Sequence, residues 1–382
     1  SAFIFACNSS ENGGSTAEDP VVIVDSGKAN GQYMAGEANK IIYADTFPED
    51  MDPSNMAYEG ETHLKNIQQL TYIGDNAEAY WSFDGSKLVF QRTCEADGFS
   101  CDQIFSGAIP EPGQAMKFNM LSTGMGRTTC SYFLPGDTTI IYASTHGVHQ
   151  ECPQIPAGPE GAYVWPVYPE FELYISDLEG NVVTQLTDND YYDAEATISP
   201  TGDMMVFTST RNGDLELYTM DKEGNINQVT DELGYDGGAF FSPDGSMLVW
   251  RASRPKTDEE VEKYTSLLEQ NLVEPSDMEL FVANADGSNA RQITDLGGAN
   301  WAPFFHPSGE KILFCSNHVT GMFPFNLFMI NLDGTGLEQI TFDKAFDSFP
   351  MFSPDGKKLV FASNRNNGGT RNTNIFVADW VD

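Results

Sequence analysis

A short motif recurs six times along this chain and constrains its fold more than any other feature. Phe241-Ser-Pro-Asp-Gly-Ser-Met-Leu-Val-Trp250 and Phe352-Ser-Pro-Asp-Gly-Lys-Lys-Leu-Val-Phe361 are the cleanest copies. Ile198-Ser-Pro-Thr-Gly202 and Phe305-His-Pro-Ser-Gly309 are close variants. Phe83-Asp-Gly-Ser-Lys-Leu-Val-Phe90 and Leu134-Pro-Gly-Asp-Thr-Thr-Ile-Ile-Tyr142 are looser ones. Each copy reads as a tight turn between two apolar strands, with Asp-Gly supplying the positive φ that a short hairpin needs. A third strand of alternating polar and apolar residues follows, as in Glu216–Asp221 and Asn326–Asn331. A fourth carries a Gln-x-Thr element, near Leu70, Leu121, Leu186, Val229, Ile293 and Ile340. Such units cannot bury both faces alone and must stack.

The order of elements predicts how the stack closes. The first copy begins with a fourth-type strand, Ile67–Thr71, and the last ends on its third strand. Ile67–Thr71 is therefore expected to complete the last blade and lock the two ends together. The fold expected is all-β: a six-bladed β-propeller of four-stranded antiparallel blades over residues 63–382, with one inserted helix in blade 4. Before it, 1–7 reads as the remnant of a signal peptide and 8–62 as a tether and N-terminal arm.

These repeats resemble the Pro-Asp β-propeller repeats of the TolB family over about residues 64–380. The stretch between Cys7 and the first blade strand is too short for the α/β domain that precedes the propeller in TolB, so the resemblance is to a relative lacking that domain. The start of the chain carries a second resemblance. Ile4-Phe5-Ala6-Cys7, followed by a polar Gly/Ser tract, resembles the end of a bacterial lipoprotein signal peptide. It implies lipid on Cys7 and a bacterial outer-membrane anchor, with the body on the periplasmic or cell-surface side. No stretch approaches the roughly 20 apolar residues of a spanning helix.

Charge limits the partners. With 56 Asp+Glu against 20 Lys+Arg, the formal net charge is −36. A nucleic-acid binder needs a basic stripe to displace counterions, so that class is excluded. A protein partner, in an outer-membrane or periplasmic complex, is the expected one.

Strand 1–2 turns point to one face of a propeller; strand 2–3 and 4–1 loops point to the other. The long insertions all fall in strand 2–3 loops. Blade 4 carries residues 254–277, read as a helix because Thr257-Asp-Glu-Glu260 is a capping-box pattern and Val261, Tyr264, Leu268 and Leu272 recur at helical spacing. Blade 2 carries 145–170, where Tyr163, Trp165 and Tyr168 offer a partner or glycan platform. His146 and His149, with His318 from blade 5, are the metal-like residues. Cys94 and Cys101 bracket a short polar loop that a disulfide could staple. Cys130 and Cys152 lie on the same face and form the second expected pair. Two bridges would fit an oxidising compartment.

One aligned position begins strand 1 of every blade: Asn76, Thr128, Asp193, Asp236, Asn300 and Asp347. Strand 1 lines the central channel, so these residues are expected to ring a tunnel mouth, with Glu78 and Glu195 two residues on. Oxygen ligands of this kind suit Ca²⁺ or the cationic groups of an inserted peptide. The sequence holds no Gly-x-Ser-x-Gly, His-Glu-x-x-His or phosphate-binding Gly-rich loop. The function expected is a non-catalytic envelope lipoprotein that binds a protein through this acidic mouth. The alternatives are a metal-dependent carbohydrate-active enzyme or a glycan-binding module using the same funnel.

Overall fold

The computed structural model describes residues 22–25, 41–45 and 56–382, apart from 157, 160–162, 322, 343, 345 and 368–369. The repeats form a six-bladed β-propeller with one α-helix, Asp258–Leu268. Innermost strands are Asp75–Trp81, Thr128–Phe133, Asp193–Ile198, Asp236–Phe241, Asn300–Phe305 and Asp347–Phe352. Each pairs antiparallel with a second strand, which pairs with a third, as in Met204–Ser209 and Glu216–Asp221 of blade 3.

The turn motif is held by its own side chains. In blade 4, Ser242 Oγ donates to Asp244 Oδ1 at 2.6 Å and accepts from Met247 N at 3.0 Å, while Ser246 N donates to the same Asp244 oxygen at 3.0 Å. Those donors hold the Asp244 carboxyl down to about 2. Gly245, at φ +74°, closes the turn, and its Cα faces Pro200 of the preceding turn. The same proline-on-glycine contact joins Pro243 to Gly309, Pro307 to Gly356 and Pro354 to Gly85. The last of these links blade 6 to blade 1. The second repeat signal is equally local. The hydroxyl of each Gln-x-Thr threonine, or of Ser122 in blade 1, accepts a third-strand N–H, for example Leu217 N to Thr230 at 2.8 Å and Leu280 N to Thr294 at 2.8 Å.

The ring closes as expected, with the closing strand starting three residues and ending two residues before the expected Ile67–Thr71. The closing strand is Leu64–Gln69, paired antiparallel with Asn374–Trp380. Thr71 lies just beyond it, and its Oγ1 accepts Ile375 N at 2.9 Å. A second closure was not legible. Ile41–Ala44 pairs with Lys117–Met120 at the outer edge of blade 1, and the backbone of Val22–Asp25 adds in parallel, so this sheet has six strands. Asp45, at the end of that segment, forms a fully buried ion pair with Arg92 at 3.1 Å. The segment before the repeats thus packs into the propeller through residues 41–45. Cys7 lies outside the described residues.

Candidate docking face and axial channel

The six aligned positions do start the innermost strands, but they do not line an open mouth. All six are fully buried. Each of the three aspartates holds a guanidinium 18 residues further on: Asp193 with Arg211 at 2.9 Å, Asp236 with Arg254 at 2.7 Å, Asp347 with Arg365 at 2.9 Å. Arg365 also binds Glu61 at 3.0 Å, tying the N-terminal segment to blade 6. Asn76 accepts from Arg92 at 2.9 Å, Asn300 accepts from Ser316 at 2.6 Å, and Thr128 donates to the Asp102 carbonyl at 2.9 Å. The physical reason is desolvation: a buried carboxylate needs a cation, and the loop after strand 2 delivers one. A Ca²⁺ ion would have to displace those guanidinium groups. The signal was present in the sequence as the fixed Asp-to-Arg spacing.

The same slot explains two histidines. His146 and His318 stand 18 residues after Thr128 and Asn300, where blades 3, 4 and 6 have arginine. Their Nδ1 atoms pair with Ser144 and Ser316 at 2.9 and 2.8 Å, and their rings pack on Tyr174 and Phe328. Burial lowers the His146 pKa to about 4. His149 faces Glu170 at 3.9 Å. The three histidines belong to blades 2 and 5 and do not converge. Among the described residues, no three His, Cys, Asp or Glu side chains are grouped to hold a metal.

The disulfide pairing differs from expectation. Cys101 bonds Cys152, with Cα atoms 5.9 Å apart, and Cys94 and Cys130 are free thiols. Cys94 is paired with Phe99 in the ladder, two residues out of register with Cys101. Cys130 adopts φ +41° at a bulge, which removes it from the loop. Cys315 is a buried free thiol, as read from its apolar strand.

The two long insertions meet. Trp165–Pro166 pairs antiparallel with Leu272–Val273, forming a strap between the blade 2 and blade 4 loops. The helix beside it has the expected capping box between Thr257 and Glu260; Leu267 is buried, and the Tyr264 hydroxyl donates to Asp214. Trp165 packs on Trp301 at 5.3 Å and on the Arg251 guanidinium at 5.6 Å. The three platform aromatics therefore divide: Tyr168 is buried, Trp165 is half-buried in the strap, and Tyr163 is 65 % exposed.

Glu78 and Glu195 do reach the axis. Every innermost strand carries a bulge with one positive-φ residue: Glu78, Cys130, Glu195, Gly238, Ala302 and Phe349. Glu195 accepts from Arg251 at 2.5 Å, Tyr235 Oη at 2.9 Å, Thr208 at 2.8 Å and Gly238 N at 2.9 Å. The Arg251 charge, with these donors, holds its carboxyl below the usual range despite burial. Toward the turns, Tyr80, Tyr132, Phe240 and Phe304 fill the channel with ring centroids 5.1–6.3 Å apart. Arg251 and the aromatic plug escaped the sequence reading because the plug joins four blades.

Several buried carboxyls lean the other way. Burial raises Glu78 to about 7, Glu216 to about 8 and Asp236 to about 6. A carboxyl with a raised folded pKa stabilises the fold below its unfolded pKa, and that contribution is lost as pH rises through the folded value. The thermal midpoint is therefore expected to fall between about pH 5.5 and pH 8.5, and Glu216→Gln to flatten the upper part of that decline. Thermal unfolding at constant ionic strength checks this; a midpoint that rises across the window contradicts it.

The loop-bearing face is also where large apolar side chains meet solvent. Val148, Tyr191, Leu233, Phe323 and Phe342 belong to its loops, Phe323 at 65 % exposed. Exposed acids alternate with them: Asp188, Asp190, Asp231, Glu232 and Asp295.

Compared with known proteins, residues 271–379 match the family described as the TolB beta propeller domain. No curated protein matches the chain in sequence. Among solved structures, it resembles a TolB-like protein from Agrobacterium tumefaciens at 18 % identity and TM-score 0.50, covering 81 % of this chain and 91 % of that one. TolB from Acinetobacter baumannii aligns at 15 % identity and TM-score 0.47, covering 80 % of this chain and 63 % of that one. Oligogalacturonate lyase from Vibrio parahaemolyticus aligns at 14 % identity and TM-score 0.48, covering 82 % and 93 %. Repeat signature, blade topology and family match agree: this chain carries a TolB-like six-bladed β-propeller.

Proposed function

We propose that the chain is a non-catalytic docking protein, anchored by lipid on Cys7 at the bacterial outer membrane, that binds a protein partner through its loop-bearing face. One observation carries the reading: exposed apolar side chains, Phe323 and Leu233 among them, are interleaved with exposed carboxylates on that face. Apolar anchors within a charged rim are the anatomy of a protein interface. The aspartates of the innermost strands are already paired with arginine, so the partner reads the loops and not that ring. The occupant that fits is a segment combining aromatic or aliphatic anchors with Lys and Arg. The acidic rim accelerates its encounter, in a salt-dependent way.

The test compares capture from membranes of cells expressing tagged full-length chain. Wild type is expected to retain a partner in stoichiometric amount, and Leu233→Glu with Phe323→Glu to lose at least tenfold of it. Lys357→Glu, on the turn face, is expected to retain it. Fractionation of the same cells is expected to place wild type with membranes and Cys7→Ser in the soluble fraction. Equal capture by the loop-face and turn-face variants would overturn the docking reading. A membrane-bound Cys7→Ser would overturn the anchor.

A further inference from the structure

The seam where the ring closes holds a histidine whose two ring nitrogens both face acceptors. His63 stands immediately before the closing strand Leu64–Gln69. Its Nδ1 lies 2.7 Å from the Val381 carbonyl oxygen, and its Nε2 lies 3.0 Å from Glu338 Oε1. Val381 follows the third strand of blade 6, Asn374–Trp380, and Glu338 opens the outer strand of blade 5, Glu338–Gln339. One imidazole thus joins three parts of the chain that are far apart in sequence. The backbone fixes its place: Val381 N donates to the His63 carbonyl at 2.9 Å, and Leu64 pairs with Trp380 in the ladder. The ring stacks on the Trp380 indole, with centroids 4.8 Å and planes 16° apart.

A neutral imidazole has one N–H and one lone pair, whereas the imidazolium has two N–H groups. A carbonyl and an ionised carboxylate accept and do not donate. The neutral ring can therefore satisfy one of its two contacts, and it then turns a lone pair toward the other oxygen. The imidazolium donates to both, and its bond to Glu338 is charge-assisted. The other histidines are placed differently. His146 and His318 set Nδ1 against serine hydroxyls, which can donate. His306, which also packs on Trp380, accepts Ser308 N at its Nδ1 at 3.2 Å, and burial lowers its pKa. His149 meets Glu170 through Nε2 at 3.9 Å. The remaining charges around the seam are engaged elsewhere. Asp382 faces His306 at 3.3 Å and accepts Trp380 Nε1 at 3.0 Å. Asp379, the ladder partner of Lys65, is held by Lys358 at 2.6 Å and Asn66 at 2.7 Å.

We propose that His63 is a proton-operated latch on the ring closure: its imidazolium ties the closing strand to blades 5 and 6 together, and loss of the proton releases one of the two ties. Histidine is the side chain that ordinarily changes charge between about pH 5 and pH 8. The charged form makes the extra bond in the folded chain, so the stability it adds is present at low pH and lost as pH rises. The seam is thus firm in mild acid and loosens toward alkaline pH. The latch does not depend on the docking reading and stands if that reading fails.

Glu338→Gln is the diagnostic change, because an amide donates to a neutral ring as readily as it accepts from a charged one. The half-exposed Glu338 side chain tolerates it without disturbing the core. Urea unfolding of the intact wild type and of Glu338→Gln at about pH 5.5 and about pH 8.5 gives the unfolding constant of each. The ratio of the wild-type constant to that of the variant is expected to rise at least about threefold from the lower to the higher pH. The buried carboxyls titrate in both chains and cancel from that ratio. A ratio that stays constant or falls would overturn the latch. A second measurement reads the ring directly in the chain labelled with nitrogen-15 histidine. At about pH 6 the His63 ring is expected to show two slowly exchanging N–H hydrogens, identified by their loss in His63→Gln, and at about pH 8.5 no more than one. One or no protected hydrogen at the lower pH would also overturn it.

Discussion

Replacing Arg365 by alanine is expected to destabilise the propeller by about 3–5 kcal/mol, because it strands two buried carboxylates at once. Asp347 and Glu61 are both fully buried and both ion-paired to this guanidinium, at 2.9 and 3.0 Å. Arg365 also donates to the Met56 carbonyl at 2.9 Å, so its loss frees the segment that precedes the closing strand. Arg211→Ala provides the contrast. Arg211 is partly exposed and serves one aspartate, so water can replace it and the cost is expected near 1–2 kcal/mol. Chemical denaturation of both variants measures the difference. Equal, small losses would mean that the Asp–Arg pairs do not hold the ring. Arg365→Ala with Asp347→Asn and Glu61→Gln should recover part of the loss, since the uncompensated charge is then removed.

Breaking the Cys101–Cys152 bond is the second large effect. The bond closes a loop spanning 51 residues of sequence. Loop-closure entropy for that length gives about 4 kcal/mol, an upper figure because native strain subtracts from it. The bond joins the third strand of blade 1 to the insertion of blade 2. Cys101→Ser or Cys152→Ser is therefore expected to lower stability by up to about 4 kcal/mol. The loosening should reach the strap through Trp165. Hydrogen exchange would show it as faster exchange in residues 163–167 with the turn face unchanged. Cys94→Ser and Cys130→Ser keep the bond and should leave that exchange unaltered. Protection of the strap in Cys152→Ser would show that its pairing with Leu272–Val273 suffices.

Much of the candidate site was present in the sequence, but as positions and not as contacts. The aligned Asp193, Asp236 and Asp347 were found as a set, and Arg211, Arg254 and Arg365 stand at a constant distance from them. Strand alternation, counted forward along strand 1, aims the aspartates at the channel. The bulge two residues later breaks that alternation and passes the axial position to Glu78 and Glu195. The cysteines misled for a related reason. Nearness in sequence favours Cys94 with Cys101, but bond formation needs apposed side chains, and ladder register sets Cys94 against Phe99. His146 and His318 read as ligands until the repeat slot showed that they stand in for arginine.

Sequence alone determined the blade count, the turn face, the closing strand and the capped helix. Each of these is encoded within a few residues: an Asp-Gly turn, a Gln-x-Thr hydroxyl, a Thr257–Glu260 box. Tertiary structure alone decided which carboxylates are buried with a cation and which reach the axis. It decided which thiols bond, and that the blade 2 and blade 4 loops pair. Those outcomes depend on distances between residues far apart in the chain. Such distances arise from blade packing and from the bulges that shift register, and no local propensity encodes them.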